Sequence, residues 1–251
     1  MRLITTRPAV AGKAIAAAAA LAFTLAGLAG CVDMNKLAKQ ANGLSGGGGL
    51  SQERIVAGLK QALEVGSERA TAAVGRLNGY YKNPQIRIPL PKDLQRLEHT
   101  LRSVGYGSQV DEFERSMNRA AERAAPAAKR IFIGAVRDMS FADARKILNG
   151  GDHAATQYFR KKTYARLEQA FRPIVHSAMS RVGVTHQYQR LQGKLESIPF
   201  TAGLTTDIDT YVTDRALDGL FHTLAEEERK IRRDPVARTT ELLKEVFGSR
   251  D

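Results

Sequence analysis

An apolar pattern with helical spacing, which begins at residue 51 and continues almost to the end of the chain, most constrains the fold. Apolar residues recur there every three or four positions, which places them on one face of an α-helix. The first such stretch contains Ile55, Leu59, Leu63, Ala70, Val74 and Leu77. Alternation with a period of two, which is typical of strands, is confined to residues 85–90. Residues 51–251 are therefore predicted to form one all-α domain of about eight helices.

Helix starts are marked by residues whose side chains can accept a hydrogen bond from a backbone amide of the first turn. Four positions carry this signal: Ser51, Ser108, Ser140 and Asp207 (or Thr206). Ser108 is followed three residues later by Asp111, and this pair predicts a capping box. Asp152 is predicted to cap a long helix that runs to about Val182 and bends at Pro173.

Prolines show where the helices are interrupted. Three prolines within eight residues exclude a helix over 83–91, and this stretch is predicted to be an extended segment that lies across the core. Its inward side chains are predicted to be Ile86, Ile88 and Leu90. Pro126 either kinks a helix or begins a new one. A short helix from Thr185 and a last helix from Pro235 complete the predicted domain.

The first fifty residues have a different composition. Residues 1–30 carry three basic side chains, an alanine-rich apolar stretch and small residues before Cys31, a pattern that predicts an export signal of the lipoprotein type. Cys31 is predicted to become the lipid-bearing first residue of the mature chain. Residues 31–50 include four consecutive glycines and predict a flexible tether with a root-mean-square span of about 20–25 Å. Val32, rather than an aspartate, follows the cysteine, which favours the outer membrane over the inner.

The chain is basic, with a formal net charge of +12. For an exported protein this excess points away from nucleic acid and toward anionic envelope components, such as lipid headgroups or cell-wall carboxylates. Acidic and basic residues alternate along most predicted helices, so a solvated surface explains the charge equally well. The single cysteine excludes an intrachain disulfide.

Known catalytic and metal-binding patterns are missing from the sequence. It contains no G-x-S-x-G elbow, no P-loop and no dinucleotide fingerprint, so we predict neither an enzyme nor a cofactor. Asp218, His222 and Glu226 lie along one stripe of a predicted helix and could share a metal ion. The opposite side of that helix is apolar, so we interpret the stripe as a solvated face and predict no metal site.

A set of polar residues on otherwise apolar helices is harder to assign. Its members are Glu114, Asn118, Arg119, Thr156, Tyr158 and Arg238. Two interpretations stay open: a structural network that ties helix ends together, and a polar pocket that binds a ligand. Convergence of these side chains on one cleft would favour the pocket.

Several short stretches together resemble one known family. They are NP (83–84) with IRIPLP (86–91), MNRAAE (117–122), DAR (143–145) with ILNG (147–150), AATQYF (154–159), YVT (211–213) with ALDGLF (216–221), and IR (231–232) with DPVARTT (234–240). In this order they resemble the proteobacterial envelope proteins grouped as domain of unknown function 4197. The resemblance implies a helical domain that carries a signal or a lipid anchor. It implies no reaction, cofactor or catalytic residue.

Three hypotheses follow from the sequence. The first is a non-catalytic interaction or scaffold module, held by the lipid on Cys31 at the periplasmic side of a membrane and binding anionic envelope components or another envelope protein. The second is a carrier or sensor of a hydrophobic or anionic ligand in a helical pocket. The third is an enzyme that uses Glu114, Asn118 and Arg119.

Overall fold

The computed structural model describes residues 51–103, 105–181 and 206–234, together with residues 236, 238 and 244. These residues form α-helices and no strand, which confirms the all-α prediction. The helices are α1 (Gln52–Gly75), α2 (Lys92–Ser103), α3 (Gly107–Ala124), α4 (Ala128–Arg137), α5 (Phe141–Leu148), α6 (Ala154–Arg181) and α7 (Ile208–Arg233). The predicted signal, lipidated cysteine and tether, the short helix from Thr185 and nearly all of the last helix lie outside the described residues.

Three of the five N-caps predicted for the described helices are confirmed. The Ser51 hydroxyl accepts a hydrogen bond from the Arg54 amide at 3.3 Å, and the Ser140 hydroxyl accepts one from the Asp143 amide at 3.1 Å. Asp207 caps α7 through the two amides that follow it at positions 209 and 210. In each case the cap and its partner are two or three residues apart, so the local sequence is enough to form the contact.

The capping box predicted at Ser108 is wrong. α3 begins one residue earlier, and its N-cap, Tyr106, makes no side-chain cap. The Ser108 hydroxyl instead donates to the Gln109 side chain, and Asp111 accepts from Arg102 of α2 at 2.7 Å. A guanidinium from a neighbouring helix thus engages the carboxylate that the local pattern assigned to capping.

Pro126 and Pro173 occupy different positions relative to the helices. Pro126 lies in a 3₁₀ turn, Ala125–Ala127, that joins α3 to α4. Pro173 lies inside α6, which continues through it to Arg181. The end predicted for α6, near Val182, lies outside the described residues.

The core lies where α1, α3, α6 and α7 pack against one another. Phe132 of α4 lies between Phe159 of α6 and Phe221 of α7, with ring centroids 5.0 and 6.0 Å apart. Burial of a large apolar side chain contributes about 1.5–3 kcal/mol, so this aromatic cluster joins three helices that are far apart in sequence.

The proline-rich segment lies on the core, but it is not extended throughout: the amides of Ile86 and Arg87 donate to the Asn83 carbonyl at 3.2 and 2.8 Å and close a turn. Residues 87–91, which lie outside any helix or turn, are the extended segment referred to below. Ile86, Ile88 and Leu90 are buried, whereas the residues between them are exposed. A loop just before it carries Tyr80, which is fully buried and whose hydroxyl donates to the Ala216 carbonyl of α7 at 2.6 Å. Burial, together with the nearby Glu122 carboxylate, raises the pKa of Tyr80 far above its usual value.

Tyr80 fits against α7 because position 219 is glycine. A Cβ atom there would lie 2.6 Å from a ring carbon of Tyr80 and 3.1 Å from Cβ of Ile86. Real carbon atoms do not approach so closely, so Gly219 allows the loop and the start of the proline-rich segment to pack directly on the helix.

Candidate functional site

Asn118 of α3 holds the extended segment by a two-way contact with Ile88. The side-chain oxygen of Asn118 accepts from the Ile88 amide at 2.9 Å, and its amide group donates to the Ile88 carbonyl at 2.8 Å. Asn118 is fully buried and also donates to the Glu114 carbonyl. This side chain provides the backbone partners that a neighbouring strand would otherwise supply. Its polar groups are therefore used to hold the fold.

Glu122, one turn further along α3, holds the loop that precedes the segment. One carboxylate oxygen accepts from the amides of Tyr80 and Tyr81 at 3.1 and 3.2 Å. The other accepts from Arg119, which also donates to the side-chain oxygen of Asn78 at 2.8 Å. Glu122 is 4% exposed, and the cation and amides around it offset the loss of water.

Glu114, one turn before Asn118 on α3, lies closer to solvent than Asn118 and Glu122. Its two carboxylate oxygens accept from Arg87 at 2.7 and 2.8 Å in a bidentate pair. The hydrogen bonds that Arg87 donates to Glu114 raise the pKa of Arg87, whose guanidinium also lies 4.8 Å from the centre of the Tyr81 ring. Arg87 and Glu114 thus clamp the outer edge of the extended segment onto α3.

A second group of polar residues lies at the N-terminus of α6 and is centred on Glu228 of α7. The Glu228 carboxylate accepts from the amides of Ala155 and Thr156 at 2.9 and 2.8 Å, and from the Thr156 hydroxyl at 2.8 Å. It also accepts from Arg232 at 3.0 Å, and Arg232 donates to the Ile147 carbonyl of α5. A carboxylate from α7 therefore satisfies the free amides and the positive dipole end of α6.

The prediction that Asp152 caps α6 is consequently wrong. The Asp152 carboxylate pairs with Arg233, whereas Glu228 occupies the amides at the helix start. Glu228 is buried, whereas Asp152 is half exposed. The N-terminus of α6 is thus capped by a carboxylate of α7, and this contact also links the two helices.

The six residues singled out by sequence belong to different contacts. Glu114, Asn118 and Arg119 belong to the first group, and Thr156 to the second. The Tyr158 hydroxyl donates to the Ala135 carbonyl of α4, and Arg238 donates to the carbonyls of Ile231 and Arg232 at the end of α7. Each of the six thus has a partner within the protein, and their hydrogen bonds do not point into one shared cleft.

The polar stripe of α7 is engaged in surface pairs. Asp218 pairs with Arg160 of α6 at 2.8 Å, and His222 lies 3.2 Å from the Gln85 side chain. Glu226 is 3.7 Å from His222, at the long end of ion-pair distances. Among the described residues no three histidine, cysteine or acidic side chains are grouped so that they could hold a metal ion.

Two concave features differ in size and chemistry. An apolar cleft between α1, α6 and α7, next to Glu228, has about 20 Å³ of free space, enough for about one water molecule. A groove of about 340 Å³ lies at the C-terminal end of α1 and is bordered by the loop that follows it. The groove is lined by Ala73, Val74, Arg76, Asn78, Gly79, Lys82, Asn83, Pro84 and Thr223.

The sequence analysis missed the roles of Glu122, Glu228 and the groove. Glu228 lies in a run of charged residues whose order, acidic before basic, suits the helix dipole and predicts a solvent-exposed surface. Its position, however, continues the apolar stripe of α7 between Leu224 and Ile231 at helical spacing. A carboxylate in apolar register is the signal that identifies a buried, partnered acid.

Comparison with known proteins gives one match. The model of a family described as "Protein of unknown function (DUF4197)" matches residues 49–248. No curated protein and no solved structure matches the chain. In the part of the chain that the structure describes, no helix is long and apolar enough to cross a membrane.

Proposed function

We propose that this chain, which belongs to the protein family of unknown function DUF4197, is a lipid-anchored envelope module that acts by binding rather than by catalysis. It faces the periplasm, is anchored at the outer membrane through Cys31, and holds its helical domain on the tether formed by residues 31–50.

One observation carries the non-catalytic part of this proposal: three buried polar side chains of α3 and α7 form hydrogen bonds to groups of the protein itself. Asn118 and Glu122 bond to backbone amides of the loop and extended segment, and Glu228 bonds to those of α6. A general acid, base or nucleophile needs a proton or an atom within reach of a substrate. Here the buried carboxylates face backbone donors and guanidinium groups.

The anchor rests on the sequence of the first 31 residues. A basic start, an apolar stretch and small residues before the only cysteine support export and lipidation. A hydrophobic cargo receives little support from the described helices, because an apolar ligand needs a pocket of about 300–1,000 Å³. The apolar cleft beside Glu228 offers about 20 Å³.

Mass spectrometry of the membrane-extracted protein tests the anchor. We expect the mature chain to begin at Cys31 with diacylglycerol on its thiol, and the Cys31→Ser variant to leave the membrane fraction or to remain unprocessed. A mature N-terminus elsewhere, or an unmodified Cys31, would contradict the anchor.

Complementation of a deletion strain tests the non-catalytic role. Glu114→Gln and Arg119→Lys should preserve function wherever the variant protein reaches its normal level and thermal stability. Loss of function at normal level and stability would instead identify these residues as catalytic.

Photocrosslinking in intact cells tests whether the module binds a partner. Leu77, Tyr106 and Phe141 are large apolar side chains that are at least 43% exposed, and each can be replaced by benzoylphenylalanine. We expect a discrete adduct from at least one position, lost in the Cys31→Ser variant; the buried Phe132 serves as the negative control. Absence of adducts at all three exposed positions would contradict the binding role.

A further inference from the structure

The groove at the end of α1 is built by a loop in a fixed conformation. Asn78 has a backbone φ of 66°, the only positive value at a non-glycine residue among the described positions. Asparagine tolerates this conformation better than most residues, and Arg119 holds its side chain at 2.8 Å. Backbone hydrogen bonds from Gly79 to Arg76 and from Asn83 to Tyr80 close the turn. The walls of the groove are thus fixed before any ligand arrives.

The charged side chains that line the groove are all basic. Arg76 and Lys82 are exposed on its rim, and none of the nine lining residues is acidic. Among the described residues, neither Arg76 nor Lys82 forms an ion pair with a carboxylate. Two other cations that contact this region are paired, Arg87 with Glu114 and Arg119 with Glu122.

The two asparagines add hydrogen-bond donors rather than acceptors. The side-chain oxygen of Asn78 already accepts from Arg119, and that of Asn83 accepts from the Gln85 amide at 3.1 Å. Each side chain therefore has its NH₂ group left to offer. The Thr223 hydroxyl donates to the Gly219 carbonyl within α7. Each asparagine oxygen thus already accepts one of the two hydrogen bonds that it can take, and the side chains that carry charge or an NH₂ group supply donors to the groove.

We propose that this groove binds a phosphate ester, either as a soluble small molecule or as a phospholipid headgroup. A phosphate monoester offers three terminal oxygens, and the phosphodiester of a phospholipid headgroup offers two terminal and two ester oxygens. Either therefore presents more acceptor positions to a guanidinium, an ammonium and two amide groups than a carboxylate with two oxygens. The groove of about 340 Å³ is larger than a bare phosphate needs, so it has room for the esterified group as well. Thr223, Pro84 and Val74 line its less polar part.

A tryptophan beside the groove makes binding measurable. The chain contains no tryptophan, and Leu77, next to Arg76 and Asn78, is 73% exposed, so Leu77→Trp adds a single reporter. The probes for the detergent-solubilised full-length protein are inorganic phosphate, glycerol 3-phosphate and succinate. The probes for the reconstituted protein are vesicles of phosphatidylcholine alone and of phosphatidylcholine with an equal amount of phosphatidylglycerol.

We expect glycerol 3-phosphate to change the tryptophan fluorescence saturably and to bind more tightly than succinate, with an affinity that falls as salt rises. Arg76→Gln with Lys82→Gln should raise its Kd about tenfold or more, because both charge-assisted contacts are lost. The control is Arg137→Gln with Lys146→Gln, which removes the same net charge from exposed positions on α4 and α5 and should leave Kd unchanged. A change seen only with phosphatidylglycerol vesicles, and lost in the groove variant alone, would identify a headgroup as the source of the phosphate.

Four results would overturn the proposal. One is no saturable change with either phosphate compound or with the anionic vesicles. Another is an equal loss of binding in the groove and control variants, since that would reflect net charge alone. The third is binding of succinate as tight as that of glycerol 3-phosphate. Thermal unfolding of each variant shows that it is folded, and a Lys82→Glu variant that binds as the parent does would also refute the site.

Discussion

Replacement of Glu228 by glutamine should destabilise the protein strongly, although the two side chains have nearly the same shape. The carboxylate accepts four hydrogen bonds, from the two amides at positions 155 and 156, the Thr156 hydroxyl and Arg232. Glutamine has one oxygen and one NH₂ group, so at least one of the carboxylate's two sites would place a donor against a donor. The least harmful orientation still leaves one buried backbone amide unpaired.

The size of the effect follows from two losses. An unpaired buried amide costs about 1–3 kcal/mol. Arg232, whose side chain is 12% exposed, would also lose its carboxylate, and removal of one partner from a buried ion pair costs about 3–5 kcal/mol. These terms overlap because Arg232 keeps its hydrogen bond to the Ile147 carbonyl. We therefore expect the free energy of unfolding to fall by about 3–5 kcal/mol and the Tm by about 10 °C.

Urea unfolding followed by circular dichroism at 222 nm measures this change, and Glu226→Gln is the matched control. Glu226 lies on the same helix, its basic neighbours His222 and Arg229 are 3.7 and 3.9 Å away, and its side chain is 27% exposed. Its replacement should change the free energy of unfolding by less than about 0.5 kcal/mol. If Glu228→Gln were equally mild, the cap of α6 by α7 would not contribute to stability and the reasoning would be wrong.

Three further predictions concern the packing of the extended segment and the start of α7. Gly219→Ala should lower the free energy of unfolding by about 1–3 kcal/mol, measured by thermal unfolding, because its Cβ would lie 2.6 Å from the Tyr80 ring. The control, Gly66→Ala, should be close to neutral because the nearest contact of its Cβ is at 3.3 Å. Equal effects of the two variants would contradict this packing. Tyr80→Phe should lower the free energy of unfolding by about 1 kcal/mol, since it removes a buried hydrogen bond to a carbonyl of α7; an unchanged value would refute that role. Asp207→Ala should cost about 1 kcal/mol and Asp207→Asn much less, because asparagine also caps helices. Hydrogen bonds, first that from the Thr210 hydroxyl, hold the pKa of Asp207 below its usual value, so its stabilising effect is complete above that usual value and is lost as pH falls through the lowered one. Urea midpoints measured from neutral to acid pH should therefore fall less for Asp207→Asn than for the parent, and parallel curves would contradict this.

Sequence reasoning succeeded where the interacting residues are close together in the chain. Ser51, Ser140 and Asp207 were identified as N-caps because each cap bonds an amide two or three residues away. The prolines of 83–91 excluded a helix whatever the surroundings, and the alternation of Ile86, Ile88 and Leu90 predicted which side chains would be buried. These features depend on local sterics and on the helical period alone.

The same reasoning failed where a distant group was the stronger partner. Ser108 with Asp111 satisfies the pattern of a capping box, but Arg102 from another helix engages Asp111. Asp152 precedes α6 in the position of a cap, but the amide of Ala155 donates instead to Glu228, which is 73 residues away in the chain. A local rule shows that a contact is possible, and it does not show which other donors or acceptors the fold will bring near.

The candidate site shows this division most clearly. The sequence selected Glu114, Asn118 and Arg119 as unusual polar residues on an apolar helix, and each is engaged in the structure. It left open whether they bind a ligand or hold the fold, because the two uses need the same residue types. Their partners are backbone groups and side chains of the 78–88 segment, some thirty to forty residues earlier in the chain, and only tertiary packing brings these together.

The sequence by itself therefore determined the helical class, the N-caps Ser51, Ser140 and Asp207, and the absence of a helix over the proline-rich segment. Those properties follow from periodicity and from contacts within one turn of the chain. The tertiary structure alone decided that Glu122 and Glu228 are buried capping groups, and that Arg76 and Lys82 border a groove without acidic residues. Burial and charge pairing depend on what surrounds a side chain in space, and helices distant in sequence supply those surroundings.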